Sequence, residues 1–157
     1  NIEILYKHLI NFQKKMNKEY KNNFLFLKTH SGLFNFFDNS FSAETVTKGI
    51  IYIVRDPRDV CISWSRHRGK TIDDSIDFML DNLRGLEWKE SGIKKTVDNI
   101  KTPISYLSSW EKHVISWCSI NWNVPKMIIK YEDLVYDKKG TILNIIDFFE
   151  KKLQLYF

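Results

Sequence analysis

The chain has 157 residues, a mass of 18.8 kDa and a formal net charge of +5. This length is that of one domain or of a large part of one. With 43% hydrophobic and 15% aromatic residues, it can bury a sizeable core and is not expected to be disordered. No apolar run approaches the ~18 residues of a membrane span, so no membrane partner is expected. The two cysteines form no disulfide framework, which favours reduced thiols and a cytoplasmic location.

The first half of the chain predicts a helix followed by two strands. Apolar residues at steps of three and four indicate a helix over residues 2–20. A continuous apolar run at residues 24–27 predicts a strand, and residues 31–47 suggest a loop that could hold a short helix. The β-branched run at residues 50–54 is typical of a fully buried central strand.

The second half carries clear helix boundaries. Asp56 followed by Pro57 is a strong start signal, and Gly69 is the expected stop. Residues 85–104 are polar and carry no clear pattern. The remaining predicted elements are helices at residues 72–84, 106–118 and 137–149 and a strand at residues 126–131.

Buried-type strands separated by long helical connections predict an α/β fold, with a parallel sheet flanked by helices. Ligands of such sheets bind at the carboxyl ends of the strands. The three predicted strands end in polar tripeptides, which we expect to meet at one edge: Lys28-Thr29-His30, Arg55-Asp56-Pro57 and Tyr131-Glu132-Asp133.

The side chains of these tripeptides are of the types that group-transfer reactions use. His30 can act as a general base near neutral pH, and Lys28 and Arg55 can hold an anion or stabilise charge on a transferring group. The amino end of the helix that starts at Asp56 points to the same edge and favours anions further. No His, Cys or Asp cluster has metal-ligand spacing, so no metal is expected. Glycine-rich phosphate loops and a nucleophile elbow are also absent from the sequence.

Two segments at the predicted strand ends resemble the sulfotransferases, enzymes that use 3′-phosphoadenosine 5′-phosphosulfate (PAPS). Residues 52–63 resemble the segment that binds the 3′-phosphate, in which a serine follows the arginine by eight residues, as Ser63 follows Arg55 here. Lys28-Thr29-His30 resembles the catalytic segment of the family.

Two later segments extend the resemblance in the same order. Residues 108–114 resemble the family's Gly-Ser-Trp/Tyr-x-x-His-Val helix, with Ser108 in the place of the glycine. Residues 129–134 resemble its Tyr-Glu-Asp segment, whose tyrosine lies near the adenine. The four matches span most of the chain, and their order makes the set specific.

The resemblance implies a P-loop NTPase-like sulfotransferase fold and in-line sulfuryl transfer from PAPS to an acceptor hydroxyl or amine. His30 would take the proton of the acceptor, and Lys28 would stabilise negative charge. Arg55 and Ser63 would clamp the 3′-phosphate, and Tyr131 would lie against the adenine. The acceptor, a small molecule or a glycan, cannot be read from the sequence.

The resemblance also has gaps. The family's 5′-phosphosulfate loop and its later Arg-Lys-Gly segment have no counterpart in the chain. We therefore expect residues 1–157 to form a single partial domain, truncated at both ends and inactive alone. An uncovered strand edge would favour self-association into a homo-oligomer.

Several alternatives compete with this interpretation. His30 could be an ordinary loop histidine, Arg55 could pair with Asp56 or Asp59, and Tyr131 could be core packing. At the level of function, a non-catalytic nucleotide-binding relic remains open, as does a basic nucleic-acid-binding module with aromatic stacking platforms. Against the latter, the aromatic residues follow core periodicity and the basic residues do not cluster, so nucleic acid is not an expected partner.

Overall fold

The computed structural model describes residues 2–20, 25–36, 39–86 and 105–155. Its helices are α1 (Ile2–Glu19), α2 (Pro57–Arg68), α3 (Ile72–Leu80), α4 (Trp110–Cys118), α5 (Tyr131–Tyr136) and α6 (Lys138–Asp147), with a 3₁₀ turn at Glu44–Val46 and a π-helical turn at Phe148–Lys152. Its strands are β1 (Asn35–Phe36), β2 (Asn39–Ser40), β3 (Ile50–Val54), β4 (Gly85–Leu86), β5 (Ser105–Tyr106) and β6 (Lys126–Lys130).

A parallel pair of strands organises the fold. β3 and β6 run parallel, from Ile50 opposite Lys126 to Val54 opposite Lys130, and α2, α3 and α4 lie along the crossover between them. Two short antiparallel pairs, β1 with β2 and β4 with β5, accompany this sheet. The predicted α/β class with a parallel sheet and flanking helices is thus confirmed.

The prediction of a fully buried central strand at residues 50–54 is wrong for the part of the chain that the structure describes. There β3 pairs with β6 alone. Ile50 is buried, but the side chain of Ile53 is 53% exposed. Side chains of a strand point to the two faces of the sheet, so the described elements leave the face at Ile53 partly uncovered.

Local sequence chemistry sets the ends of α2 and α3. The Asp56 carboxylate accepts a hydrogen bond from the amide of Arg58, and Gly69 ends α2 in the left-handed conformation at φ 61°. Thr71 and Asp74 form a capping box at the start of α3. That helix ends at Leu80 and not at residue 84 as expected, and the side chain of Leu83 beyond it is 81% exposed.

The predicted first helix is confirmed as α1, but its apolar stripe is not its buried face throughout. Phe12 is 57% exposed, whereas Gln13 is buried. The side-chain amide of Gln13 donates to the Phe41 carbonyl at 2.8 Å, and its oxygen accepts from the Ser42 hydroxyl at 2.7 Å. α1 is therefore held on the following loop by satisfied polar contacts as well as by apolar packing.

The prediction of a first strand at residues 24–27 is also wrong. Residues 25–27 belong to no strand or helix, and residue 24 lies outside the described residues. Phe26 and Leu27 are 62% and 54% exposed, so the apolar run is not buried as a core strand would be. A strand exists only where a neighbour accepts its backbone hydrogen bonds, and the described residues supply none along this segment.

The later boundaries shift in two places. Residues 105–106 form β5, so the predicted helix at 106–118 begins only at Trp110, and Tyr131 starts α5 directly after β6. Residues 87–104, in the segment without a clear pattern, lie outside the described residues. The last predicted helix is confirmed, with the Asp137 carboxylate accepting from the Gly140 amide.

Close packing joins the carboxyl-terminal turn to the start of β3. A Cβ on Gly49 would lie 2.5 Å from a methyl carbon of Leu153, so any larger residue there would require the Leu153 side chain to shift. Cys61 is buried and Cys118 half-buried, and both are free thiols. Within the described ranges, no helix combines the length and the apolar character that a membrane crossing requires.

Candidate functional site

A cleft of about 1040 Å³ runs along β3. Its lining includes every residue from 25 to 31 on one side and from 46 to 55 on the other, and no residue of β6. Because successive side chains of a strand point to opposite faces, a cleft lined by consecutive residues follows an edge of the strand. The cleft therefore lies between residues 25–31 and the edge of β3 that has no partner strand among the described residues.

Two of the three predicted strand ends meet as expected. The Arg55 guanidinium lies over the Tyr131 ring, 4.6 Å from its centroid, because parallel pairing brings the residues after β3 and β6 side by side. Arg55 also approaches Asp59, with 3.7 Å between Nη2 and the carboxylate. Its Nε is buried and has no hydrogen-bond partner among the described residues. The side chain thus keeps an unused donor where it lines the cleft.

The neighbouring acidic residues are already engaged with the protein. The Asp56 amide donates to Glu132 Oε1 at 2.9 Å and lowers the pKa of that carboxyl. Hydrogen bonds from the Arg58 side chain and amide lower the pKa of Asp56 to about 2. Asp56 therefore stays ionised and holds Arg58, whose side chain is 86% exposed. Arg58 is a helix-start charge paired with Asp56, consistent with a solvated role.

The backbone that carries His30 is held by α4. The Trp117 indole donates to the Ser31 carbonyl at 3.0 Å, and the Leu33 amide donates to the Ser116 hydroxyl at 3.0 Å. His113 Nε2 lies 3.1 Å from the His30 carbonyl. These bonds fix the main chain at residues 30–33, while the His30 imidazole is exposed and lines the cleft.

His113 connects this segment to β3. A carbonyl can only accept, so Nε2 of His113 carries the proton that binds the His30 carbonyl. Nδ1 of the neutral ring then accepts from the Tyr52 hydroxyl at 3.0 Å. Burial is the largest cause that lowers the pKa of His113, and burial also raises the pKa of Tyr52. Both shifts favour the neutral forms that this hydrogen-bond chain requires.

Of the remaining predicted site residues, Lys28 lies in the cleft and Ser63 does not. Lys28 is exposed and lines the cleft together with His30. Ser63 is exposed on α2 and does not belong to the cleft lining, to which α2 contributes Val60. Of the predicted set, the structure brings Lys28, His30 and Arg55 to one cleft and Tyr131 against Arg55, but it leaves Ser63 on the outer part of α2.

Two residues that the residue patterns did not single out belong to this region. Ser108 is buried at φ 57°, a left-handed conformation that favours glycine, and its hydroxyl donates to the Asn82 carbonyl at 3.0 Å. The glycine in the matching position of the resemblance was a signal for this conformation. Arg84, 8% exposed, lines the cleft. No motif marked it, because its burial depends on the pairing of β4 with β5.

The described residues hold no group of three or more His, Cys, Asp or Glu side chains arranged for a metal ion. The chemistry available in the cleft is therefore that of imidazole, lysine, arginine and hydroxyl groups. An imidazole beside cations on one wall suits proton removal next to a bound anion.

Comparison with known proteins places this chain in a family. Residues 4–156 match the family described as "Sulfotransferase domain". The chain is 33% identical to "Sulfotransferase 2A6" of Rattus norvegicus over 106 residues, covering 67% of this chain and 32% of the relative. It is 28% identical over 105 residues to "3-alpha-hydroxysteroid sulfotransferase" of Cavia porcellus, covering 67% and 32%.

A third relative matches a longer part of the chain. "Luciferin sulfotransferase" of Photinus pyralis is 27% identical over 128 residues, covering 82% of this chain and 30% of the relative. The chain thus spans about a third of the length of these curated relatives. With the family match covering nearly every residue, the chain belongs to the sulfotransferase domain family.

Proposed function

We propose that the protein transfers a sulfuryl group from PAPS to a hydroxyl or amine of a small-molecule acceptor. The observation that carries the proposal is that Arg55 lines the same cleft as His30 and that its buried Nε has no hydrogen-bond partner among the described residues. A cation with an unused donor beside a candidate base suits an anionic donor and a protic acceptor. Family membership supports the same reaction class.

The nucleotide part of the donor fits the end of the cleft where β3 and β6 terminate. Arg55 would bind the 3′-phosphate through Nε and Nη, giving charge-assisted hydrogen bonds. Tyr131 is 40% exposed, so part of its ring remains available to an adenine while Arg55 covers another part. Ser63, which is exposed on α2, is proposed as a second phosphate ligand on family resemblance.

The chain's own residues supply base and charge. PAPS would supply the sulfuryl group when it is bound. His30 would remove the proton of the acceptor hydroxyl as its oxygen bonds to the sulfur, while the bond between the sulfur and the 5′-phosphate oxygen breaks and 3′,5′-adenosine bisphosphate leaves. Lys28, two residues earlier on the same wall, would stabilise the negative charge that develops there. The fixed backbone of residues 30–33 holds the base in place, and positioning of this kind lowers the barrier without new bonds.

The acceptor is proposed to have an apolar body. Phe149 and Leu155 line the cleft together with Phe26, and Phe26 packs edge-on against Phe149 at 5.4 Å between ring centroids. Apolar walls stabilise an apolar ligand roughly in proportion to the area buried, at about 25 cal/mol per Å². Two of the similar proteins are named for a 3-alpha-hydroxysteroid and for luciferin, which supports an acceptor of this kind.

The test is a transfer assay with sulfur-labelled PAPS on the protein purified together with any sequence that flanks residues 1–157, and residues 1–157 alone, which we expect to be inactive, serve as the control. 4-Nitrophenol and a hydroxysteroid serve as acceptors, and labelled sulfate ester is the product measured. We expect ester formation that depends on the acceptor and is inhibited by 3′,5′-adenosine bisphosphate. Binding of the bisphosphate without any transfer to a broad acceptor panel would instead support a non-catalytic nucleotide-binding protein. Absence of both would remove the proposal.

A further inference from the structure

We infer that Arg84 is a specificity-determining residue that binds an anionic group, such as a carboxylate, on the acceptor. The inference rests on the proposed function, because it assigns Arg84 to the acceptor side of the proposed transfer site. It predicts a preference for acceptors that carry a negative charge in addition to an apolar body and a hydroxyl or amine.

The fold holds Arg84 at both its backbone and its side chain. Its carbonyl accepts from the amides of Leu107 at 2.9 Å and Ser108 at 3.0 Å. Nη1 donates to the Phe78 carbonyl at 3.2 Å, and the guanidinium carbon lies 4.8 Å from the centroid of the Phe78 ring. A guanidinium fixed in this way presents its remaining donors in a set direction, which lowers the entropy lost when a ligand binds.

The charge of Arg84 lacks compensation in the described part of the chain. The residue is 8% exposed, and its Nε has no hydrogen-bond partner there. Burial lowers the pKa of Arg84, and Asp81 opposes this only as the smaller effect. Arginine keeps its proton in proteins, and a buried cation without a counter-ion is unfavourable. An anion that enters the cleft would supply the missing charge and accept from the unused donor.

Arg84 acts at the His30 end of the cleft. Its charge contributes to the lowered pKa of His113, and Nε2 of His113 lies 3.1 Å from the His30 carbonyl. Arg55, the proposed nucleotide ligand, instead follows the carboxyl end of β3 and covers Tyr131. Because the proposed base must face the acceptor, an anion bound by Arg84 belongs to the acceptor and not to the nucleotide.

Two phenols of nearly equal size provide the test. At neutral pH, 4-hydroxyphenylacetate carries a carboxylate, whereas 4-hydroxyphenylacetamide carries a neutral amide in the same place. Their binding to the purified protein saturated with 3′,5′-adenosine bisphosphate is followed by the fluorescence of Trp110 and Trp117, which line the cleft. We expect the carboxylate to bind about 10-fold more tightly, the lower range for a hydrogen bond to a charged group. Equal affinity in the wild-type protein would overturn the inference without any variant.

A variant and a matched control assign the preference to one residue. Arg84→Gln keeps a polar side chain but removes the charge, and the ratio of the two affinities should fall to about one, the loss of a single charged contact. Arg68→Gln is the control, since Arg68 also lies over an aromatic ring, 4.6 Å from the Trp64 centroid, but is exposed and outside the cleft lining. That variant should keep the wild-type ratio. Thermal denaturation of both variants shows whether they are folded.

Titration with 3′,5′-adenosine bisphosphate tests the role of Arg84 and the proposed function separately. If Arg84→Gln weakens bisphosphate binding and leaves the ratio of the phenols unchanged, Arg84 serves the nucleotide and the inference is wrong. If the wild-type protein binds no bisphosphate, the proposed function fails. The preference for the carboxylate can still be measured without the nucleotide, and its dependence on Arg84 is then decided separately.

Discussion

Arg55→Ala should weaken binding of 3′,5′-adenosine bisphosphate by about 1.5–3 kcal/mol, the contribution of a hydrogen bond to a charged group. The Nε of Arg55 is buried and has no hydrogen-bond partner in the described part of the chain. Its ion pair with Asp59 has a 3.7 Å separation and a carboxylate side chain that is 52% exposed. Such a pair contributes ~0–1 kcal/mol, so little competes with a phosphate. The expected loss corresponds to roughly 10-fold to 150-fold in the dissociation constant, measured by calorimetry.

Arg58→Ala is the matched control for this experiment. Arg58 lies three residues away at the same helix start, but its guanidinium is bound to Asp56 and its side chain is 86% exposed. We expect the dissociation constant to change by less than about twofold, since a surface ion pair contributes little. Unchanged affinity in Arg55→Ala, or an equal loss in both variants, would refute the assignment of Arg55 to the phosphate.

Three further predictions concern other parts of the site. His30→Ala should reduce the turnover number by roughly 10²-fold with nucleotide affinity nearly intact, and a variant that keeps most of its turnover would exclude His30 as the base. Ser108→Ala should lower the free energy of unfolding by about 1 kcal/mol, because it loses the hydrogen bond to Asn82 yet keeps the left-handed backbone; urea denaturation measures this, and no loss would contradict it. The pKa of Asp56, about 2, lies below its ordinary 3.8, so its stabilising effect is complete above 3.8 and is lost as the pH falls towards 2. In urea denaturation between about pH 5 and pH 2, the stability difference between wild type and Asp56→Asn should therefore shrink as the pH falls, whereas a constant difference would be inconsistent with this pair.

The parts of the fold that could be predicted from the sequence depend on local chemistry or on general topology. Both ends of α2 could be predicted without knowledge of the fold. The Asp56 carboxylate accepts a hydrogen bond from a free amide at the start of the helix, Pro57 suits its first position, and Gly69 adopts the left-handed conformation that ends it. The meeting of Arg55 with Tyr131 followed from a topological rule, since the ends of parallel strands share an edge. Their contact in the structure confirms that rule for this pair.

The features that sequence reasoning missed depend on contacts between distant segments. The apolar residues 25–27 predicted a buried strand, but periodicity cannot show whether a neighbour is present to accept the backbone hydrogen bonds. Gln13 is buried because the Phe41 carbonyl and the Ser42 hydroxyl meet its amide, which no helical pattern reveals. Arg84 is buried through the β4–β5 pairing, and a single arginine in the sequence carries no such signal.

The proposed binding of the nucleotide depends on the alignment of β3 with β6. Val54 lies opposite Lys130, and the Asp56 amide reaches Glu132 across 76 positions of the chain. Slippage by one residue would turn each side chain of one strand to the opposite face, separating the Arg55 cation from the Tyr131 ring and dismantling the proposed phosphate site. Mass action works in the other direction: a nucleotide at 100 times its dissociation constant would favour the aligned chain by ~2.7 kcal/mol. The same ligand that takes part in the reaction would thereby select the correctly assembled sheet.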